Sequence, residues 1–267
     1  MNGTVPSLSI VFMAVSCLIG FALPVALLLY FRIRKKADIL PFFTGCAVML
    51  IFALILEAAV HRIILSSTAG AVIQGNIWLY AFYGGIMAGL FEETGRFLAF
   101  KTVLKRRQNK DINALMYGAG HGGFEAVVVL GIAMINNIIW SVLINSGNTG
   151  LLTGTVSGEL LTQVENSLQQ LVSTEPWMFL LGGIERIFAV ILQIALSVLV
   201  WFAAKNRKRI LLYPAAILIH FAVDAVTVLL PGMGVSTIAL ETVIGALAVL
   251  TAVLAKSVWN REKRENN

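Results

Sequence analysis

Residues 8–31 read LSIVFMAVSCLIGFALPVALLLYF, a stretch without a charged side chain. At about 1.5 Å of rise per residue, a helix of this length crosses roughly 30 Å of hydrocarbon. No lysine or arginine precedes the stretch, and it is too long for the apolar part of a signal peptide, so we expect it to remain as a spanning helix. Similar stretches recur along the chain and decide the fold class.

The composition of the whole chain fits a membrane protein. Of 267 residues, 58% are apolar and 13% are charged, and the mean hydropathy is +0.85. A water-soluble core does not need apolar stretches of this length. We predict an all-α, polytopic transmembrane helical bundle of about seven spans in a single integral membrane domain, residues 1–267. The predicted spans are residues 8–31, 39–65, 77–100, 111–141, 177–203, 212–230 and 238–257.

Lysine and arginine residues alternate from one connection to the next. Basic clusters lie in residues 32–36, 101–110, 205–209 and 256–264, whereas residues 66–76, 142–176 and 231–237 have none. Because basic residues mark the cytoplasmic side, we predict the N-terminus outside, the C-terminus inside and residues 142–176 as an extracytoplasmic loop with an amphipathic stretch near 158–172. Membrane orientation and attraction to the lipid bilayer explain the net charge of +6, so we predict no nucleic-acid partner.

The third span carries glycines followed by charged residues. Gly85 and Gly89 form a GxxxG pair that favours close approach of another helix, and the charged residues Glu92, Glu93 and Arg96 lie on or beside the same face. Glu92 and Arg96 have the favourable i, i+4 order, so the guanidinium can hold one carboxylate ionised while the other stays available for chemistry. A packed, internally neutralised cluster is the alternative, although one arginine cannot neutralise two carboxylates.

The fourth and sixth spans each carry a histidine with an acid four residues later. His121 precedes Glu125 in the glycine-rich sequence GAGHGGFE, and His220 precedes Asp224. Glycines in membrane helices permit close approach or local unwinding. Each histidine has a structural alternative, as a hydrogen-bonded core residue or one oriented by its acid. Their depth favours function, since both histidines and the Glu92 pair lie about 8–10 residues from the predicted cytoplasmic helix ends.

Two further clusters are weaker candidates. Glu185 and Arg186 lie near the middle of the fifth span and are candidates to line the same cavity. Adjacent helical residues point about 100° apart, so we expect them to pair poorly with each other. Glu57, His61 and Arg62 lie towards the outer end of the second span, where we expect an interfacial salt-bridge cluster.

The motifs EExxR at 92–96, aromatic-x-x-x-His at 117–121 and HxxxD at 220–224 resemble those of the glutamic-type intramembrane proteases. That group includes the CAAX prenyl protease and bacteriocin-processing enzymes and the PrsW-type proteases. The layout most resembles the YhfC-like branch. The resemblance covers residues 92–224, about half of the chain, and implies hydrolysis of a membrane-associated peptide or protein in a bacterial inner membrane.

The resemblance also implies roles for individual residues. Glu92 is then the general base, His121 helps to hold the water, and His220 with Asp224 faces the substrate carbonyl. Arg96 forms a supporting pair with Glu93, and Glu125, Glu185 and Arg186 are further supporting candidates. Two departures weaken this assignment. Two residues separate the glutamate pair from the arginine, where several relatives have three, and an aspartate cannot donate to an oxyanion unless it is protonated.

A metal-dependent mechanism is the main competitor of this assignment. Glu92, His121, His220 and Asp224 form a nitrogen and oxygen ligand set that suits Zn²⁺ with a position open for water. None of the three segments carries a His-Glu-x-x-His helix. We favour the metal-free mechanism and therefore no cofactor, with zinc as the alternative. The same intramembrane charges also fit a proton-coupled transporter or a non-catalytic binding or immunity protein.

Overall fold

The computed structural model describes residues 3–265, and these residues form helices and turns without a strand. The chain is an all-α, polytopic helical bundle, as predicted. Its helices in chain order are α1 (Ser7–Arg34), α2 (Leu40–Leu65), α3 (Thr68–Gln74), α4 (Ile77–Lys101), α5 (Ile112–Asn145), α6 (Gly150–Thr153), α7 (Gly158–Ser173), α8 (Pro176–Lys205), α9 (Leu212–Gly232) and α10 (Thr237–Glu265). The predicted amphipathic stretch is the helix α7.

The predicted number of spans differs from the structure. Within residues 3–265, six helices are long and apolar enough to cross a membrane: α1, α2, α5, α8, α10, and α9 with its preceding turn (Arg207–Gly232). The third predicted span, residues 77–100, corresponds to α4, which has 25 residues and is not among these six helices. Its apolar character is interrupted by Glu92, Glu93 and Arg96, all of which are buried. The orientation of the chain in the membrane stays a prediction.

The described residues form two compact units. The first contains residues 3–23 and Ala126–Ile187, and the second contains Pro24–Glu125 and residues 188–265. In the first unit, Met13, Leu168 and Phe179 belong to one buried apolar cluster. There the backbone N–H of Val5 donates to Asn145 Oδ1 at 2.7 Å. The second unit holds every residue of the three motifs.

In the second unit, α4 and α9 pack closely through glycines. A Cβ atom on Gly85 would lie 2.6 Å from the carbonyl oxygen of Phe221, and one on Gly89 would lie 2.7 Å from that of Ile217. Real Cβ atoms do not approach backbone oxygens so closely, so the two glycines permit this packing. The predicted role of the GxxxG pair is confirmed, and α9 is the partner helix. This packing brings the His220 segment to the glutamate pair.

Helices α2 and α5 meet in the same way. A Cβ atom on Gly45 would lie 2.3 Å from the carbonyl oxygen of Tyr117, and one on Gly120 would lie 2.0 Å from that of Phe42. Residues Ile112–Glu125 are continuous α-helix. Of the two roles open to the glycine-rich segment, the structure therefore shows close approach and not unwinding. His121 is carried on this tightly packed part of α5.

We expect Gly120→Ala to destabilise the protein. The added methyl group would meet the backbone of Phe42, which cannot rotate away as a side chain can, so α2 and α5 must separate. Overpacking of this kind costs about 1–3 kcal/mol, and thermal unfolding of the detergent-solubilised protein measures the loss. Gly84→Ala is the matched control, because a Cβ atom there meets nothing within 4 Å. Equal melting temperatures for the two variants would contradict the prediction.

Candidate active site

Glu92 and His121 form a direct contact between α4 and α5. His121 Nε2 is 2.8 Å from Glu92 Oε2. The histidine is fully buried, and 7% of the glutamate is exposed. The ring of Tyr117, one turn earlier on α5, stacks on His121 with centroids 6.0 Å apart. The imidazole is therefore held between an aromatic ring and a carboxylate.

Glu93 forms the second contact, between α4 and α9. His220 Nδ1 is 2.8 Å from Glu93 Oε1. Arg96 Nη1 is 3.1 Å from the other oxygen of Glu93, and neither side chain is exposed. The i, i+4 spacing favours an ion pair of Arg96 with Glu92, whereas the resemblance implies a pair with Glu93. The structure places Arg96 on Glu93 at i, i+3, because Glu92 is turned towards His121.

The second nitrogen of His220 faces two carboxylates without bonding to either. His220 Nε2 lies 3.9 Å from Glu92 Oε2 and 3.7 Å from Asp224 Oδ2. The ion pair with Arg96 makes Glu93 a hydrogen-bond acceptor, so Nδ1 of His220 carries the proton that it donates. In the neutral imidazole the lone pair then lies on Nε2 and points towards the gap between the carboxylates. This is the orientation that a metal-binding histidine has when a carboxylate holds its other nitrogen.

Gln193 on α8 completes the polar network, although it belongs to none of the three motifs. Its Nε2 group donates to Glu92 Oε2 at 3.0 Å and to Glu125 Oε2 at 3.1 Å. Its Oε1 atom accepts from Arg96. Only 4% of Gln193 is exposed. Its hydrogen bond to Glu125 connects that carboxylate to the cluster. The sequence contains a signal for this residue, because Gln193 is the single amide within the apolar run AVILQIALSVLV. A buried polar group in a membrane helix needs a partner, so such an amide indicates a polar contact inside the bundle.

Glu57 on α2 is buried, although an interfacial position was expected for it. It ends a π-helical stretch, Met49–Glu57. His61 Nε2 is 3.0 Å from Glu57 Oε1, and His61 Nδ1 is 2.8 Å from the Tyr83 hydroxyl. Arg62 is exposed and takes no part in this pair, so the predicted three-residue cluster is wrong in part.

Glu185 and Arg186 belong to the first compact unit, whereas the motif residues belong to the second. Arg186 Nε donates to Glu185 Oε2 at 3.2 Å, and the guanidinium also contacts the other carboxylate oxygen. The expectation that these neighbours pair poorly is wrong. Long side chains on adjacent helical positions bend towards each other despite the angle between their Cβ atoms. Their supporting role at the cluster stays a prediction.

The donor chemistry of the cluster fits a divalent metal. Among residues 3–265, no three histidine, cysteine or acidic side chains are arranged as a formed metal site, and His121 and Glu92 contact each other directly. However, two imidazoles and two carboxylates supply the nitrogen and oxygen ligands that Zn²⁺ takes. The nitrogen best placed for such an ion is His220 Nε2, whose lone pair faces Glu92 and Asp224.

Comparisons with known proteins give the family. A family model described as "YhfC intramembrane metalloprotease" matches residues 19–245. The chain is 36% identical over 258 residues to "Uncharacterized membrane protein YhfC" of Bacillus subtilis (strain 168), covering 94% of this chain and 98% of the relative. No solved structure matches. The predicted YhfC-like resemblance is confirmed, and this multi-pass membrane protein belongs to the YhfC intramembrane metalloprotease family.

Proposed function

We propose that this protein hydrolyses a peptide bond of a membrane-associated substrate at the cluster around Glu92, His121 and His220. The observation that carries the proposal is the convergence of these three side chains from three helices, with His121 2.8 Å and His220 3.9 Å from the same oxygen of Glu92. Burying ionisable groups in an apolar bundle is costly, and such groups are usually retained for function. The family description supports proteolysis.

We further propose that the site works with a bound metal ion, in place of the metal-free mechanism favoured from the sequence. The residues that would hold the ion are Glu92, His121, His220 and Asp224. Bound Zn²⁺ supplies a Lewis acid and lowers the pKa of bound water to about 7. The family description and the Glu93 contact to His220 support this reading, since an outer carboxylate of this kind is typical of metal-bound histidines.

The metal-free mechanism places a stronger demand on His220. To stabilise an oxyanion, His220 Nε2 must donate a proton. The Nδ1 atom already donates to Glu93, so His220 would have to be doubly protonated during the reaction. The metal-dependent reading needs the neutral imidazole, which the Glu93 contact orients correctly.

Neighbouring side chains position the reacting groups. Gln193 donates to Glu92 and Glu125 through one amide nitrogen, which fixes the orientation of the Glu92 carboxylate. Arg96 neutralises Glu93 and so keeps it as an acceptor for His220. The side chain of Asp224 is 36% exposed, so it lies at the accessible edge of the cluster, where a substrate backbone can approach.

The experiment that tests the proposal is a cleavage assay with metal analysis. The purified protein in detergent is incubated with a library of membrane peptides, before and after chelation, and its metal content is measured. We expect stoichiometric zinc, loss of cleavage on chelation and recovery on adding zinc. Cleavage that persists in metal-free protein would favour the glutamic mechanism. Absence of cleavage together with pH-gradient-dependent solute uptake in liposomes would favour a transporter and overturn the protease proposal.

The cellular location is part of the same proposal. A bacterial cell membrane is supported by the relative from Bacillus subtilis and by the alternation of basic connections. The predicted orientation places the cluster nearer to the cytoplasmic surface. We therefore propose a substrate whose cleaved bond lies within the inner half of the bilayer.

A further inference from the structure

A separate groove lies on the second compact unit, between α5, α8 and α10. Its volume is about 380 Å³, within the range of small-molecule sites. Ile191, Ala195 and Val198 line it from α8 at i, i+4 and i+7 positions, and Ala252 and Ala255 line it from α10. The small alanines leave space between the helices. Because all five of these side chains are apolar, the groove is apolar along most of its length.

One end of the groove is polar and basic. Lys256, Trp259 and Asn260 line this end. The predicted hydrocarbon span of α10 ends at residue 257, so we expect these side chains near the level of the lipid headgroups on the predicted cytoplasmic side. Tryptophan and lysine are both favoured at this level, where a ring is half immersed and an ammonium group reaches phosphate.

Lys256 differs from Arg209 and Arg261, two arginines near this end of α10. Arg209 pairs with Glu262 and Glu265, and Arg261 pairs with Glu265. Lys256 is exposed, and within residues 3–265 it forms no ion pair of this kind. Its charge is therefore available to an anionic ligand at the mouth of an apolar groove.

We propose that this groove binds an anionic phospholipid, with one acyl chain between α8 and α10 and the phosphate on Lys256. Charge complementarity selects this occupant over a neutral lipid or an apolar helix, because the basic residue stands at the end where a headgroup must lie. Basic pockets between membrane helices on the cytoplasmic side are suited to such headgroups. This site is distinct from the cluster of Glu92 and His121, and the proposal does not depend on proteolysis.

The headgroup contact is tested with Lys256→Gln. Delipidated protein in detergent is titrated with phosphatidylglycerol or phosphatidylcholine of the same acyl chains, and bound lipid is measured by native mass spectrometry. We expect phosphatidylglycerol to bind more tightly than phosphatidylcholine, and Lys256→Gln to weaken it about fivefold, the effect of one charge near a membrane surface. Lys105→Gln is the control, since Lys105 is an exposed lysine in another connection.

The acyl-chain contact is tested by filling the groove. Ala252→Phe places a ring in the groove, whereas Val253→Phe changes the neighbouring residue, which is 57% exposed and does not line it. We expect loss of bound phosphatidylglycerol in Ala252→Phe alone, with both variants showing a cooperative thermal transition. If Ala252→Phe fails to fold, the Lys256→Gln titration still decides the proposal.

Three results would overturn the proposal. Equal binding of the two lipids would show that the headgroup charge is not recognised. Equal binding of phosphatidylglycerol by all four variants would show that the lipid does not bind in this groove. A delipidated protein that dimerises, and that Ala252→Phe returns to a monomer, would instead make the groove an interface between two copies. Size-exclusion chromatography with light scattering detects that outcome.

Discussion

Glu92→Gln is expected to lower the rate of peptide cleavage by at least about 100-fold, the lower range for loss of a general base. The substitution keeps the size of the side chain but removes its charge. It leaves the amide in contact with His121 and Gln193, which both meet the same oxygen of Glu92. In the metal-dependent reading, the same change removes an anionic ligand, so zinc content is expected to fall as well. Cleavage is followed with the peptide identified in the library assay.

His121→Ala is expected to have an effect of similar size, because it removes the imidazole that contacts Glu92. Glu159→Gln is the matched control for a carboxylate-to-amide change, since Glu159 is exposed on α7. Expression and thermal unfolding are compared for all variants. Wild-type turnover in both Glu92→Gln and His121→Ala would end the assignment of this cluster as the active site.

Arg96→Met is expected to lower the free energy of unfolding by about 3–5 kcal/mol, the cost of leaving a buried charge without its partner. Arg96 and Glu93 are both fully buried, and the guanidinium also contacts Gln193. Removing the arginine leaves the Glu93 carboxylate uncompensated beside His220. Thermal and denaturant unfolding of the solubilised protein measure the change.

The control for this variant is Arg106→Met, because Arg106 is exposed in a cytoplasmic connection by the predicted orientation. A second variant, Arg96→Met with Glu93→Gln, removes both charges and is expected to recover part of the lost stability. A loss in the double variant equal to the sum of the losses in Arg96→Met and in Glu93→Gln alone would show that the two side chains do not interact energetically.

Much of the fold follows from local patterns. Apolar runs such as residues 8–31 predict helices, because hydrocarbon offers no hydrogen-bond partners. The backbone N–H and C=O groups must therefore bond to each other within the helix. Gly85 and Gly89 predict a close helix contact, which α9 makes. The common depth of Glu92, His121 and His220 predicts their meeting, and the structure brings them together.

The partners of individual side chains follow less well from the sequence. The i, i+4 spacing favours Arg96 with Glu92, but the structure pairs it with Glu93. Gln193 lies outside every motif, and Glu57 is buried where an interfacial position was expected. These differences have the same origin. Helical spacing predicts which residues share a face of one helix, but it does not predict which neighbouring helix packs against that face.

The sequence by itself therefore determined the helices, the membrane class and the candidates for the site, because hydropathy and helical period act within one segment. Only the tertiary structure decided that Glu93 holds His220 and that Gln193 links Glu92 to Arg96. Those contacts depend on the rotation and distance of packed helices. Glycines such as Gly89 and Gly120 permit the close helix packing on which these contacts depend.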